Sequence, residues 1–206
     1  MLQMSDSAFP TGGFAHSGGL EAMVQSGRVS GGRDLEWYCL LQLEQLCTGA
    51  LVFVREVWSE PERLRELDEL WDAMLSNPVA NRGSRAQGGA MRLAVERVFG
   101  IGFPGEGAAH LATVSGWVFR ELGLGLREAL EVFVYQGIRA CVSAGIRLGV
   151  TGPLEGQAIQ WRVLSRAGEW MEKHEGLRSE DAYQSAPLVD VFQGMQDRLY
   201  SRLFQT

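Results

Sequence analysis

Between Arg33 and Trp58 the apolar side chains Leu43, Leu46, Cys47, Ala50, Leu51, Val54 and Val57 follow one another at intervals of mostly three or four. That is the period of a helix stripe, not the two-residue alternation of a strand. Leu35, Tyr38, Leu40 and Phe53 widen the stripe past a single face. The segment therefore predicts a helix covered on several sides, and the rest of the chain must supply the elements that cover it.

The remaining pattern supplies helices. After Pro61, the apolar Leu64, Leu67, Trp71 and Met74 are interleaved with Glu62, Arg63, Arg65, Glu66, Asp68 and Glu69, as on a surface helix with one buried stripe. Pro78 opens a third segment, in which Gly83, Gly88 and Gly89 weaken the helical reading until Met91, Leu93, Ala94, Val95 and Val98, so its first half reads as loop. Glycines and Pro104 between Gly100 and Gly107 stop that helix, and a fresh one runs from Ala108 to Leu122. Leu126 to Leu148 is a second long helix, closed by Gly149, Gly152 and Pro153. Leu154 to His174 gives one more, Glu175 to Ser185 a polar, mobile connector, and Pro187 leads into an apolar tail ending near Phe204. No Asn-Gly or Asp-Gly turn separates alternating runs, and β-branched residues are scattered. The expectation is an all-α, single-domain bundle over residues 1–206, with about seven or eight helices around one or two long central ones and 176–206 as a mobile C-terminal partner-docking tail that gains order as it binds.

Composition narrows the function classes. A chain of 206 residues can bury a sizeable core without disulfides or structural metal. The net charge of −6 offers no field for nucleic acid or anionic lipid, and among 19 basic residues Lys173 alone is a lysine, a bias toward the planar contacts of protein interfaces. Cys39, Cys47 and Cys141 are odd in number and form no CxxC pair, the usage of a reducing compartment. No signal-peptide pattern opens the chain, and no uncharged run reaches the ~20 residues of a membrane span. The reading is a cytoplasmic protein with protein partners, no nucleic acid and no membrane.

Motifs for bond chemistry lack their context. Gly100-Ile101-Gly102-Phe103-Pro104-Gly105 matches GxGxxG, but a helix precedes it where the dinucleotide fold needs a strand. Ala15-His16-Ser17-Gly18-Gly19 is one residue short of the hydrolase nucleophile elbow, so a serine hydrolase using Ser17, with His110 or His174 as base, is the enzyme alternative, though no sheet exists to mount it. Ser17 reads better as the N-cap of a helix from Leu20, with Glu21 in its first turn. His16, His110 and His174 have no local second ligand, so no metal site, cofactor or catalytic residue is expected. Tyr135, Arg139, Ser143 and Arg147 recur every four residues, forming an oblique polar row of residue types enriched where proteins meet. The tail Pro187 to Phe204 concentrates large apolar groups where a chain end is usually polar, which marks a docking segment unless it packs on its own domain.

Three stretches carry a resemblance. Leu2-Gln3-Met4-Ser5-Asp6-Ser7-Ala8-Phe9-Pro10-Thr11-Gly12-Gly13-Phe14-Ala15-His16-Ser17-Gly18-Gly19-Leu20-Glu21 resembles the opening of the UreF family of urease accessory proteins. Val142 to Gly149 followed by Gly152-Pro153-Leu154-Glu155-Gly156-Gln157 is similar to its second signature, and Tyr200-Ser201-Arg202-Leu203-Phe204 to its C-terminal ending. The resemblance implies an all-α, dimerising, non-enzymatic chaperone of metallocentre assembly, which binds an accessory protein UreD (also called UreH) and recruits the GTPase UreG so that nickel reaches apo-urease. By position, Tyr200, Arg202, Leu203 and Phe204 would dock on the UreD-like partner. Phe9, Pro10 and His16 would lie near the same surface. Arg139, Ser143 and Arg147 are expected, from their spacing, to face UreG or a second copy of the chain.

Overall fold

The computed structural model describes residues 2–6, 8–104 and 110–206. Among them run ten α-helices: α1 (Leu20–Gln25), α2 (Gly32–Thr48), α3 (Ala50–Ser59), α4 (Leu64–Met74), α5 (Pro78–Phe99), α6 (Leu111–Glu121), α7 (Leu126–Arg147), α8 (Pro153–Leu164), α9 (Ala167–Lys173) and α10 (Pro187–Gly194). All but α1 and α9 have eight residues or more, and the described residues contain no strand. The all-α class and the helical bundle expected from the sequence are what the structure has.

Apolar periodicity explains the centre. α3 packs on α6 and α7, and α2 on α7 and α8. Tyr38, Leu43, Phe53, Val54, Phe119 and Ile138 are sealed from solvent at these contacts. Small residues bring the axes together: a Cβ on Gly116 of α6 would lie 2.5 Å from the Val54 carbonyl oxygen, and one on Gly145 of α7 would lie 2.5 Å from the Leu35 side chain. Gly32–Ser59 and Leu126–Arg147 are long and apolar enough to cross a bilayer, yet both lie at this packed centre.

Several boundaries differ from the sequence reading, each with a local reason. The Arg33–Trp58 segment is two helices, because Gly49 leaves helical geometry at φ −121°, ψ −97°. A side chain there would press on the Gln45 carbonyl at 3.1 Å and the Trp71 ring at 3.2 Å, and Tyr183 N–H, at 2.9 Å, takes the Thr48 carbonyl that the break frees. α5 is helical from Pro78 onward, not loop in its first half. Asn77 Oδ1 accepts from the Val79 and Ala80 amides at 3.0 and 3.4 Å, a cap that starts the helix, and Gly83 leaves space for Thr206. The Leu154–His174 stretch is divided at Ser165–Arg166 into α8 and α9. The expected helix start at Ala108 and the final glycine of the GxGxxG match, Gly105, lie outside the described residues, as does Ser7 of the opening stretch.

Two polar clusters tie the outer helices down. Asp68 Oδ1 accepts from His110 N–H at 2.7 Å and Thr113 Oγ1 at 2.5 Å, anchoring the start of α6. The Glu56 carboxylate, buried in α3, accepts from Ser179 N–H and Oγ at 2.9 Å each, while Arg55 donates to the Leu177 carbonyl. The polar connector after α9 is thereby fixed to the core.

Candidate partner-facing corner

Both ends of the described chain meet against α7, and the glycines of the opening stretch make this meeting possible. Gly18 and Gly19 have φ of +62° and +92°, and a Cβ on Gly19 would lie 2.9 Å from the Gln193 nitrogen of α10. The N-cap position of α1 is therefore Gly19 and not Ser17. Ser17 cannot cap α1: its Oγ is buried and has no hydrogen-bond partner among the described residues. Its carbonyl and that of Gly18 accept from the Tyr38 hydroxyl at 3.0 and 2.9 Å.

The last residues pair with this loop. Gln205 N–H donates to the Ala15 carbonyl at 2.8 Å, Ser17 N–H to the Thr206 carbonyl at 2.6 Å, and the His16 ring bonds the Thr206 hydroxyl. Glu21, at the start of α1, is 2% exposed, and its carboxylate accepts from Leu203 N–H at 2.6 Å, Phe204 N–H at 3.1 Å and Gln196 Nε2 at 2.7 Å. No cation among the described residues reaches ion-pair distance, so these donors alone compensate its burial.

The polar row on α7 binds the loop from below. Gln136 Nε2 donates to the Met4 carbonyl at 2.6 Å, Arg139 to the Ser5 carbonyl at 2.5 Å, and Arg147 to the Phe14 carbonyl. The Arg147 guanidinium also lies 3.6 Å from the Phe14 ring centre and 4.3 Å from that of Phe204, joining both chain ends through cation–π contacts. Ser143, between the two arginines, lines a cavity of about 740 Å³ under the loop.

The ten residues singled out from the sequence divide into two groups. Phe9, Pro10, His16, Arg139, Ser143, Arg147 and Phe204 converge on this cavity. Phe9 and Phe204 are buried, Phe9 stacking on Phe99 with ring centres 6.0 Å apart. Tyr200 is fully exposed and Leu203 half-exposed, both facing away from the bundle. Arg202 is exposed and contacts Asp197 at 3.4 Å, and Arg82 clasps both oxygens of Asp197 at 2.9 Å. The sequence does not single out Glu21, Gln196 or Tyr38 as residues of this site. Glu21 passes for an ordinary first-turn acid, and nothing local signals that its partners lie beyond residue 195.

Titration and chemistry are quiet here. Burial lowers the pKa of His16 and of His174, the latter helped by Lys173. Burial also pushes the Cys47 thiol up to about 12. No group of three or more His, Cys, Asp or Glu among the described residues could hold a metal. His110, fully buried, places Nδ1 3.1 Å from Ser84 Oγ and Nε2 3.0 Å from Asp72 Oδ1. Ser84 Oγ also receives the Leu111 amide at 3.3 Å, and Asn81 and Arg85 occupy Asp72 and hold its carboxyl well below the usual range. That set clamps α4, α5 and α6 together.

Comparison with known proteins gives one consistent outcome. The sequence model of the UreF family matches residues 29–164. Urease accessory protein F of Arabidopsis thaliana is 33% identical over 216 residues, covering 98% of this chain and 90% of that protein. The Oryza sativa subsp. japonica protein of the same name is 32% identical, covering 99% and 83%. Urease accessory protein UreF of Agrobacterium fabrum is 34% identical over 167 residues, covering 74% and 70%. The family match spans the helical body, while the two plant relatives align across nearly the whole chain, including the corner.

Proposed function

Given that this chain belongs to the UreF family of urease accessory proteins, we propose that it is a non-enzymatic adaptor. With a UreD/UreH-like partner it recruits a UreG-like GTPase so that nickel, the cargo, is delivered to apo-urease. It works in the cytoplasm as one domain over residues 1–206, as a homodimer within the complex, and uses no cofactor of its own.

One observation carries this reading: the corner turns outward Tyr200 and Leu203, large apolar side chains, on a tail whose neighbour Phe204 is fixed inside the fold. An exposed apolar anchor on a held backbone binds with little ordering cost. In this reading Tyr200, Arg202 and Leu203 meet the UreD-like protein, and residues 176–206 form the docking tail. The loop with Phe9, Pro10 and His16, together with the Arg139–Ser143–Arg147 row beneath it, extends the surface toward UreG or a second copy. The adaptor acts by differential affinity: it favours the nucleotide state of the GTPase that it binds more tightly, and by linkage that state favours the complex.

The buried, unpartnered Ser17 hydroxyl supports the non-enzymatic reading over hydrolysis, since no base among the described residues touches it. Co-purification with UreD- and UreG-like proteins tests the proposal. The intact chain is expected to capture both, and Tyr200→Ala with Leu203→Ala to lose the UreD-like protein while staying folded. Capture unchanged in the double variant would refute the anchor, and Ser17-dependent esterase activity of the purified chain would refute the adaptor.

A further inference from the structure

The cavity under the N-terminal loop has a chemistry that the adaptor role does not explain. Its lining includes Arg139 and Arg147 and the amides of Gln87, Gln136, Gln157 and Gln160, but, among the described residues, no aspartate or glutamate. In a chain of net charge −6, two guanidiniums share an enclosure in which, among the described residues, no acid lies in the lining and no carboxylate comes within ion-pair distance of either. Their hydrogen bonds go to the neutral carbonyls of Ser5 and Phe14, and aromatic rings cover faces of both guanidiniums, which leaves in-plane N–H donors of each without a protein acceptor among the described residues. Gln160 is 7% exposed, and its side-chain oxygen has no hydrogen-bond partner among the described residues. A half-buried cation without an anion, beside a buried amide without a partner, is an incomplete site.

From this cavity we infer that the loop and α7 form a receptor for an acidic polypeptide segment in extended conformation. The spacing argues for a peptide over a single small anion. Arg139 and Arg147 are eight positions apart on one helix, about 12 Å along its axis at ~1.5 Å per residue. An extended chain advances about 3.3 Å per residue, so carboxylates four positions apart, on one face of the strand, span the two arginines. Each would accept charge-assisted, bidentate hydrogen bonds from its guanidinium. Gln157 and Gln160, on α8 beside the gap, can exchange donors and acceptors with the peptide groups between the two acids. The cavity volume of about 740 Å³ accommodates a segment of that size. The inference extends the adaptor reading by naming the chemistry of one partner.

The test needs no accessory protein, so this inference and the adaptor reading can fail separately. Fluorescence anisotropy of the full chain would use a labelled Ser-Glu-Gly-Ser-Gly-Glu-Ser peptide and its Gln-for-Glu counterpart, with acetate and glutarate as free competitors. The acidic peptide is expected to bind about tenfold more tightly than the neutral one. Arg139→Gln and Arg147→Gln should each weaken it about fivefold or more, with Arg65→Gln, at an exposed side chain of α4, unchanged. Gln157→Ala, at an exposed side chain that bears on no packing, should weaken it about twofold and guards against misfolding of the arginine variants. Equal binding of the neutral peptide, or acidic-peptide affinity that survives both arginine substitutions, would overturn the inference. So would acetate displacing the peptide at equal concentration, which would assign the cavity to free anions.

Discussion

The contact between α3 and α6 and the corner where the chain ends meet are both buried, but by different means. At the first, Val54, Val57, Val114, Val118 and Phe119 exclude solvent and Gly116 lets backbone touch backbone. The attraction there is nondirectional and scales with the apolar area removed from water. At the second, a carboxylate, an imidazole, two guanidiniums and several backbone amides make aimed bonds between residues far apart in sequence. Area holds the body together, whereas the corner depends on individual hydrogen bonds, each of which is costly to leave unmade. The body should therefore fail only as a whole, and the corner should open by itself.

The sharpest way to break that contrast is Gly116→Val. With no space beside the Val54 carbonyl, the added carbons should cost about 3 kcal/mol of global stability, read as a lower urea midpoint with an unchanged slope. A loss under ~0.5 kcal/mol would mean that the helices are not in backbone contact. Glu21→Ala should act next most strongly, at about 2 kcal/mol, because it strands the Leu203 and Phe204 amides and the Gln196 amide. Hydrogen exchange should accelerate at residues 15–17 and 203–206 while α3 and α6 stay protected. Uniform acceleration would show that the corner and body are one cooperative unit.

The mildest effect concerns pH. His16 and His174 titrate lower in the folded chain than at the ordinary value near 6.5. Between that value and the depressed one the unfolded chain binds more protons, so stability falls as pH drops through 6.5. Asp72 works in the opposite range: its depressed carboxyl keeps its contribution until far more acidic conditions. Thermal unfolding from pH 7.5 to 5.5 should show the decline, and His16→Asn should remove part of it. A flat profile would remove the histidines from the account.

The same contrast decides what the sequence made legible. Helices whose stability comes from apolar stripes, α2, α3, α4 and α7, show in the three-to-four spacing of Leu35, Leu43, Val54, Leu67 and Ile138. The Gly49 break does not show, because one of the groups that leave no room for a side chain there, the Trp71 ring, arrives from another helix. The first half of α5 is hidden for a related reason: glycine propensity is local, but Gly83 answers to Thr206, more than a hundred positions away. At the corner, the residues Phe9, Pro10, His16, Arg139, Ser143, Arg147 and Phe204 were identifiable by type and by resemblance. Their mutual bonding was not, because no periodic pattern records a pair such as Glu21 and Leu203.

That pairing also sets an order of events during synthesis. Glu21 is translated some 180 residues before Leu203 and Phe204, whose amides donate to it. Until then the unpaired carboxylate favours water over burial, so the loop before α1 should dock late. The helical body is therefore expected to mature first and the corner to assemble last.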